Sequence, residues 1–130
     1  MKRLLLLRHA KAVPHGTVND FDRVLTDRGR RDMVALSRFF SAEPPDLALV
    51  SPAARTRETW ALCEMPHVPV RYEEAIYEAS QATLLRLVQA LPAKVRRAML
   101  VGHNPGLEDF ADALAAPGTH PRHLPTSGLV

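Results

Sequence analysis

The chain has 130 residues, 46% of them hydrophobic and 24% charged, with a formal net charge of +3. That balance is ordinary for one soluble globular domain, residues 1–130, able to bury a sizeable core. Aromatic residues make up only 5% and basic residues are mixed with acidic ones, which argues against nucleic acid as a partner.

The first apolar run, Leu4-Leu5-Leu6-Leu7, is too short to span a membrane and reads as a buried strand over Lys2 to Leu7. It ends in Arg8-His9 rather than continuing as a leader peptide, so a cytoplasmic protein is expected. A polar loop follows from Ala10 to Leu25. Thr26 then caps a helix expected to bury Met33, Leu36, Phe39 and Phe40. Pro44-Pro45 stops that helix, and Leu47 to Val50 forms the second strand. Pro52 opens a turn into a helix of about ten residues carrying Arg55, Glu58 and Trp60. The lone Cys63 excludes an internal disulfide and reads as a packed small hydrophobe.

Val68 to Tyr72 is a weak third strand. Ser80 caps a helix whose stripe is Leu84, Leu87 or Val88, and Leu91, and Ala98 to Val101 is the fourth strand. Pro105 suits a first helical position, and the helix body runs from about Leu107 to Leu114. Thr119 to Pro125 reads as a loop. A further strand is expected to start as the chain reaches Val130, with the last sheet edge incomplete. Alternation of this kind predicts an α/β three-layer sandwich with a central, mainly parallel sheet flanked by helices.

Three of these strands deliver polar groups at their C-terminal ends: Arg8-His9, Ser51 leading to Arg55, and Gly102-His103-Asn104-Pro105. Open α/β sheets place ligands at that edge. Arginine keeps its charge, and its planar fork matches two phosphate oxygens. A neutral imidazole, with an ordinary pKa near ~6.5, is a competent nucleophile. Arginine neighbours disfavour its protonation, and a second histidine can donate to the transferring group. This chemistry requires neither metal nor cofactor.

Leu7-Arg8-His9-Ala10-Lys11-Ala12 resembles the Arg-His-Gly signature of the histidine phosphatase superfamily, which includes the phosphoglycerate mutases. Asp22-Arg23-Val24-Leu25-Thr26-Asp27-Arg28-Gly29 resembles the Arg-Pro-Leu-Thr segment of its small SixA-like branch, the protein phosphohistidine phosphatases. Ser51-Pro52-Ala53-Ala54-Arg55-Thr56-Arg57-Glu58-Thr59 and Val101-Gly102-His103-Asn104-Pro105 match that branch's two later motifs. The resemblance covers essentially the whole chain and implies a phosphoglycerate mutase-like fold. It implies that His9 is the phosphorylated nucleophile, with Arg8, Arg55 and His103 in the phosphate pocket and Arg23 as a further phosphate contact. Asn104 is implied to act through its place at a helix start, where backbone N–H groups favour anions. Ala10 replaces the commoner glycine, which is tolerable where φ is negative, and Val24 replaces proline, which loosens the loop presenting Arg23.

Ile76-Tyr77-Glu78-Ala79 resembles the segment where larger relatives carry a catalytic glutamate. Two readings of Glu78 stand side by side: a general acid, or an exposed residue before the helix capped by Ser80. Glu73 and Glu74 are weaker candidates. His120 and His123, near Pro121 and Pro125, do not read as a metal pair. His15 and His67 read as loop residues, Arg57 as structural, and Arg28, Arg30 and Arg31 as a solvated helix face. The resemblance implies a phosphatase acting on a phosphohistidine-bearing protein. A chain too short for a large lid over the site fits a side chain presented by another protein. A small-molecule phosphomonoesterase and a non-catalytic phosphoprotein-docking module are the rivals, and a mutase fits less well. The oligomeric state stays open.

Overall fold

The structure, a computed structural model, describes residues 3–16 and 18–114. Lys2, the Thr119–Pro125 loop, His120, His123 and the expected strand near Val130 lie outside the described residues. Strands β1 (Arg3–Arg8), β2 (Leu47–Val50), β3 (Val70–Tyr72) and β4 (Arg97–Gly102) alternate with helices α1 (Asp27–Ala42), α2 (Ala54–Leu62), α3 (Gln81–Gln89) and α4 (Gly106–Leu114). Short 3-10 turns at Asp20–Asp22 and Glu74–Ile76 interrupt two of the loops. Among the described residues, no helix is long and apolar enough to cross a membrane.

The four strands pair in parallel in the order β1-β4-β2-β3. Parallel strands are covered on both faces and therefore need apolar side chains at every position. The four-leucine run of β1 and the fully buried β2 meet that need. Successive residues point to opposite faces, so the strands feed two separate cores. Leu6, Leu47, Leu49, Ala98 and Leu100 pack with Leu84, Leu107 and Phe110 of α3 and α4. Leu7, Ala48, Val50, Met99 and Val101 pack with Met33, Phe40 and Trp60 of α1 and α2. The expected α/β sandwich is therefore present, with two helices on each face.

Local signals set the helix starts. The Thr26 hydroxyl accepts from the Gly29 N–H at 3.0 Å, and the Ser80 hydroxyl accepts from the Thr83 N–H at 3.3 Å. Pro105 precedes α4 instead of opening it: its carbonyl accepts from the Asp109 N–H at 2.9 Å, as a capping residue's does. Phe39 corrects the sequence reading, because it is 66% exposed. Met33, Leu36 and Phe40 form the inward stripe, and at 3.6 residues per turn Phe39 falls about a quarter turn away from it. Strand β3 is shorter than expected, three residues at the sheet edge.

Candidate active site

The strand order builds the site. After β1 the chain lays down β2 and β3, then returns to insert β4 between β1 and β2. Three strand ends thereby become neighbours. The His9 N–H donates to the Gly102 carbonyl, and the Ser51 N–H to the Val101 carbonyl, each at 3.1 Å. Above them opens a cleft of about 800 Å³. Arg8, His9, Arg23, Arg55, Glu78, His103 and Asn104 all line it, as do Asp20 and Tyr77.

His9 is buried, and its Nδ1 lies 2.7 Å from the Ala10 carbonyl oxygen. A carbonyl can only accept, so Nδ1 carries the proton and Nε2 keeps its lone pair. Burial holds this imidazole at about 4. The Ala10 carbonyl opposes that shift, and the charges of Arg55, Arg8 and Arg23 add to it. Ala10 is itself anchored, its N–H donating to Thr59 Oγ1 at 2.9 Å. The positive-φ non-glycine residues described are Glu64 and Glu78, so alanine at position 10 carries no backbone strain.

His103 lies beside His9, ring centroids 5.4 Å apart, with its Nε2 2.7 Å from Ser51 Oγ. Burial, then Arg55 and His9, hold it at about 3 against the pull of Asp20. Both rings are neutral at physiological pH. Arg8 is also lowered from its ordinary value, by burial first and by Arg55, with Glu108 opposing; a guanidinium remains charged nonetheless.

Arg55 projects from the first turn of α2 and is 5% exposed. Its Nη1 donates to the Asp20 carbonyl at 2.6 Å and its Nη2 to Asp20 Oδ2 at 3.1 Å. Arg23 reaches Asp20 Oδ1 through Nε and Nη2, both at 3.0 Å, and the Val13 carbonyl through Nη1 at 2.9 Å. Among the described residues, the buried Arg55 Nε and His103 Nδ1, both on cleft-lining side chains, find no hydrogen-bond partner. Buried polar atoms are normally satisfied, and an orphan at a cleft marks a place for a ligand.

The loop that presents Arg23 is better fastened than Val24 in place of proline suggested. Val13 N–H donates to the Val24 carbonyl at 2.9 Å, and Leu25 N–H to Glu58 Oε1 at 3.0 Å. A bridge pairs Ala12 with Leu25. The helix α4 start is held against the opposite rim, because a side chain at Gly106 would collide with the Ala79 backbone carbonyl. Asn104 sits in the turn before that helix, two residues ahead of its start.

All seven residues singled out from the sequence therefore reach one cleft. Glu78 sits on its rim, exposed, with a left-handed φ of 58°. Sequence reasoning missed Asp20, Tyr77, Ser51 and Thr59. Asp20 and Tyr77 carried no signal, since 57 residues separate them; Ser51 was visible only as a strand end. Arg30 is another correction: it is not merely solvated, since its Nε donates to Glu58 Oε2 at 3.1 Å. Arg57 faces away and stacks over Tyr72, 4.7 Å from the ring centroid. His15 is an exposed loop residue whose Nδ1 lies 3.6 Å from Asp20 Oδ1. Cys63 is buried, its thiol pushed up to about 12 by that burial, and serves as packing.

A parallel α/β sheet whose strand ends gather neutral histidines among arginines is the framework of a phosphate-handling enzyme. The chain belongs to the histidine phosphatase superfamily: the family model for its branch 1 matches residues 4–108. Within that family it is similar to the SixA-like branch. A protein named putative phosphohistidine phosphatase SixA from Agrobacterium tumefaciens shares 34% identity and superposes with a TM-score of 0.91, over 98% of this chain and 88% of that one. Another of that name, from Nakamurella multipartitia, shares 29% identity with a TM-score of 0.84, over 98% and 81%. An uncharacterised protein of Mycobacterium leprae is 32% identical over 136 residues, 95% of this chain and 84% of its own. The family places the chain among phosphatases, hydrolases that release phosphate.

Proposed function

We propose that the chain is a metal-independent phosphatase that removes phosphate from phosphohistidine on a protein and passes it through His9 to water. The observation that carries this reading is the His9 hydrogen bond to Ala10, which leaves a neutral Nε2 beside three arginines and a second histidine. Nε2 attacks phosphorus as the bond to the leaving group breaks. Arg8, Arg23 and Arg55 hold the phosphoryl oxygens, with Arg55 Nε as an uncommitted donor. With the Ser51 hydroxyl as donor in its 2.7 Å bond to His103 Nε2, the ring proton sits on Nδ1, ready for a phosphoryl oxygen. Water then attacks phospho-His9 and releases inorganic phosphate. The arginines supply the positive charge that phosphoryl transfer needs. Asn104 contributes as part of the turn that leads into α4.

The choice of phosphohistidine rests on the leaving group. An alkoxide needs a proton from an acid, whereas a phosphorylated imidazole protonated on its other nitrogen departs as neutral imidazole. Asp20 is ionised, held at about 2 by the Tyr77 hydroxyl first and by Arg55 and Arg23, against burial. Glu78, the acid candidate named from the sequence, stands exposed on the rim. The similarity to proteins named SixA points the same way.

The deciding experiment mixes the chain with a protein carrying labelled phosphohistidine, quenches in alkali and maps the label. We expect transient label on His9, turnover undisturbed by chelator, and faster hydrolysis than of phosphoserine or glycerol phosphate. Equal or better rates on the alkyl phosphates would assign the chain to small-molecule phosphomonoesterases. Binding of phosphoprotein without turnover would assign it to docking modules, and a divalent-ion requirement would overturn metal independence.

A further inference from the structure

Asp20 is an anomaly in an anion pocket: a carboxylate set where a phosphate is to bind. Its surroundings account for it. Oδ1 accepts from Arg23 Nε and forms an ion pair with Arg23 Nη2, while Oδ2 accepts from Arg55 Nη2 and from the Tyr77 hydroxyl at 2.5 Å. A carboxylate offers about four lone-pair sites; three hydrogen bonds and the close Arg23 Nη2 cation surround this one. The Asp20 backbone carbonyl adds a further bond to Arg55 Nη1.

The bonds from Arg23 are local, three residues away, but those from Arg55 and Tyr77 span 35 and 57 residues. Asp20 therefore joins three separate pieces of chain: the loop after β1, the start of α2 and the segment after β3. Tyr77 extends the connection. Its ring meets Phe21 edge-on at 5.3 Å on one side and His103 at 5.6 Å on the other.

We propose that Asp20, with Tyr77, is the positioning clasp of the pocket: it aims the Arg23 and Arg55 guanidiniums at the transferring phosphoryl group without touching that group. The clasp trades affinity for geometry. As a fixed negative charge beside the arginines it weakens their pull on any bound anion. As a fixed acceptor it holds their forks in the orientation that the pentacoordinate phosphorus of the transition state requires. Misplacement of such groups by about 1 Å costs as much as ~100-fold in rate. Arg55 Nε remains uncommitted because the clasp takes the Nη atoms.

This inference rests on the phosphoryl-transfer reading, and the test separates the two. Asp20→Asn, Tyr77→Phe and the double variant are compared with wild type in kcat and KM on an aryl phosphate. Calorimetry adds their affinities for inorganic phosphate, a ground-state mimic, and vanadate, which adopts the five-coordinate geometry. For Asp20→Asn we expect kcat to fall about ten- to a hundredfold and vanadate to bind at least about tenfold more weakly. Phosphate should bind as tightly as before, or more tightly. Tyr77→Phe should show the same split, smaller, and the double variant should be no worse than Asp20→Asn alone because the two act as one unit.

Unchanged kcat and vanadate affinity, parallel loss of phosphate and vanadate binding, or multiplying effects in the double variant would each overturn the clasp. Should Asp20→Asn not fold, Tyr77→Phe decides alone: the kcat loss at constant phosphate affinity supports the clasp, and wild-type behaviour overturns it. A wild-type chain that hydrolyses nothing would refute the phosphatase reading, yet the vanadate-against-phosphate contrast would still judge the clasp.

Discussion

The two ends of the one sheet carry similar residues and behave differently. At the N-terminal ends of the strands, Arg3, Arg96 and Arg97 gather with Glu43 and Asp46. Asp46 Oδ2 accepts from the Arg96 and Arg97 backbone N–H groups at 2.8 and 2.9 Å, and Arg97 pairs with Glu43 at 3.6 Å. These groups lie largely in water, which screens them. At the C-terminal ends, Arg8, Arg23, Arg55 and Asp20 surround one buried and one half-buried imidazole. Burial makes the difference. Screened by water, arginines and carboxylates merely finish strands, whereas the same types against a low-dielectric core hold histidines neutral and orient one another.

The largest break in this contrast should come from His9→Ala. We expect turnover to fall about a thousandfold or more, with the fold retained because His9 lines the open cleft rather than either helix-packed core. Steady-state assay and circular dichroism check both halves. Substantial activity in a folded His9→Ala protein would falsify its role as nucleophile.

Arg55→Ala should be next. It removes a buried guanidinium from an Asp20 carboxylate that is about one-third exposed and keeps Arg23 and Tyr77, a change expected to cost about 1.5–3 kcal/mol. Chemical denaturation should show that loss together with collapse of activity. Loss of activity at unchanged stability would mean that Arg55 serves substrate alone.

The neutral histidines predict a pH signature. Folded His9 and His103 protonate at about 4 and about 3, whereas unfolded histidines do so near ~6.5. Between those values the unfolded chain binds more protons. Stability therefore falls as pH drops from about 6.5 towards the folded values. The acid limb of kcat/KM, corrected for ionisation of the substrate, should lie near 4 rather than 6.5. An enzyme inflection near 6.5 would show that the imidazoles are not desolvated as described.

Glu78→Gln offers a finer discrimination. We expect alkyl phosphate hydrolysis to suffer proportionally more than phosphohistidine hydrolysis, because only the alkoxide needs an acid. Equal losses on both substrates would remove Glu78 from the chemistry. The smallest effect belongs to the other end of the sheet: Arg97→Gln should alter stability by no more than about 1 kcal/mol and leave kcat unchanged. A sizeable loss of activity there would dissolve the contrast between the two ends.

Much of this molecule could be read along the chain because its signals are local. A four-leucine run reads as a strand, Thr26 and Ser80 read as caps, and the polar groups following Leu7, Val50 and Val101 mark one sheet edge. Those readings need only near neighbours, and the structure bears them out. Phe39 failed because a single helical stripe was read too wide, and the angle between Phe39 and Met33 decided its exposure.

Sequence alone thus determined which residue types would be presented, and at which strand ends. Tertiary structure decided how they act. The insertion of β4 between β1 and β2 set His103 beside His9, and burial there lowered the affinity of both rings for protons. Ser51 reached His103 across 52 residues, and Tyr77 reached Asp20 across 57. No pattern along a chain encodes such meetings, because they exist only once two cores have formed on opposite faces of a sheet and drawn distant loops to its edge.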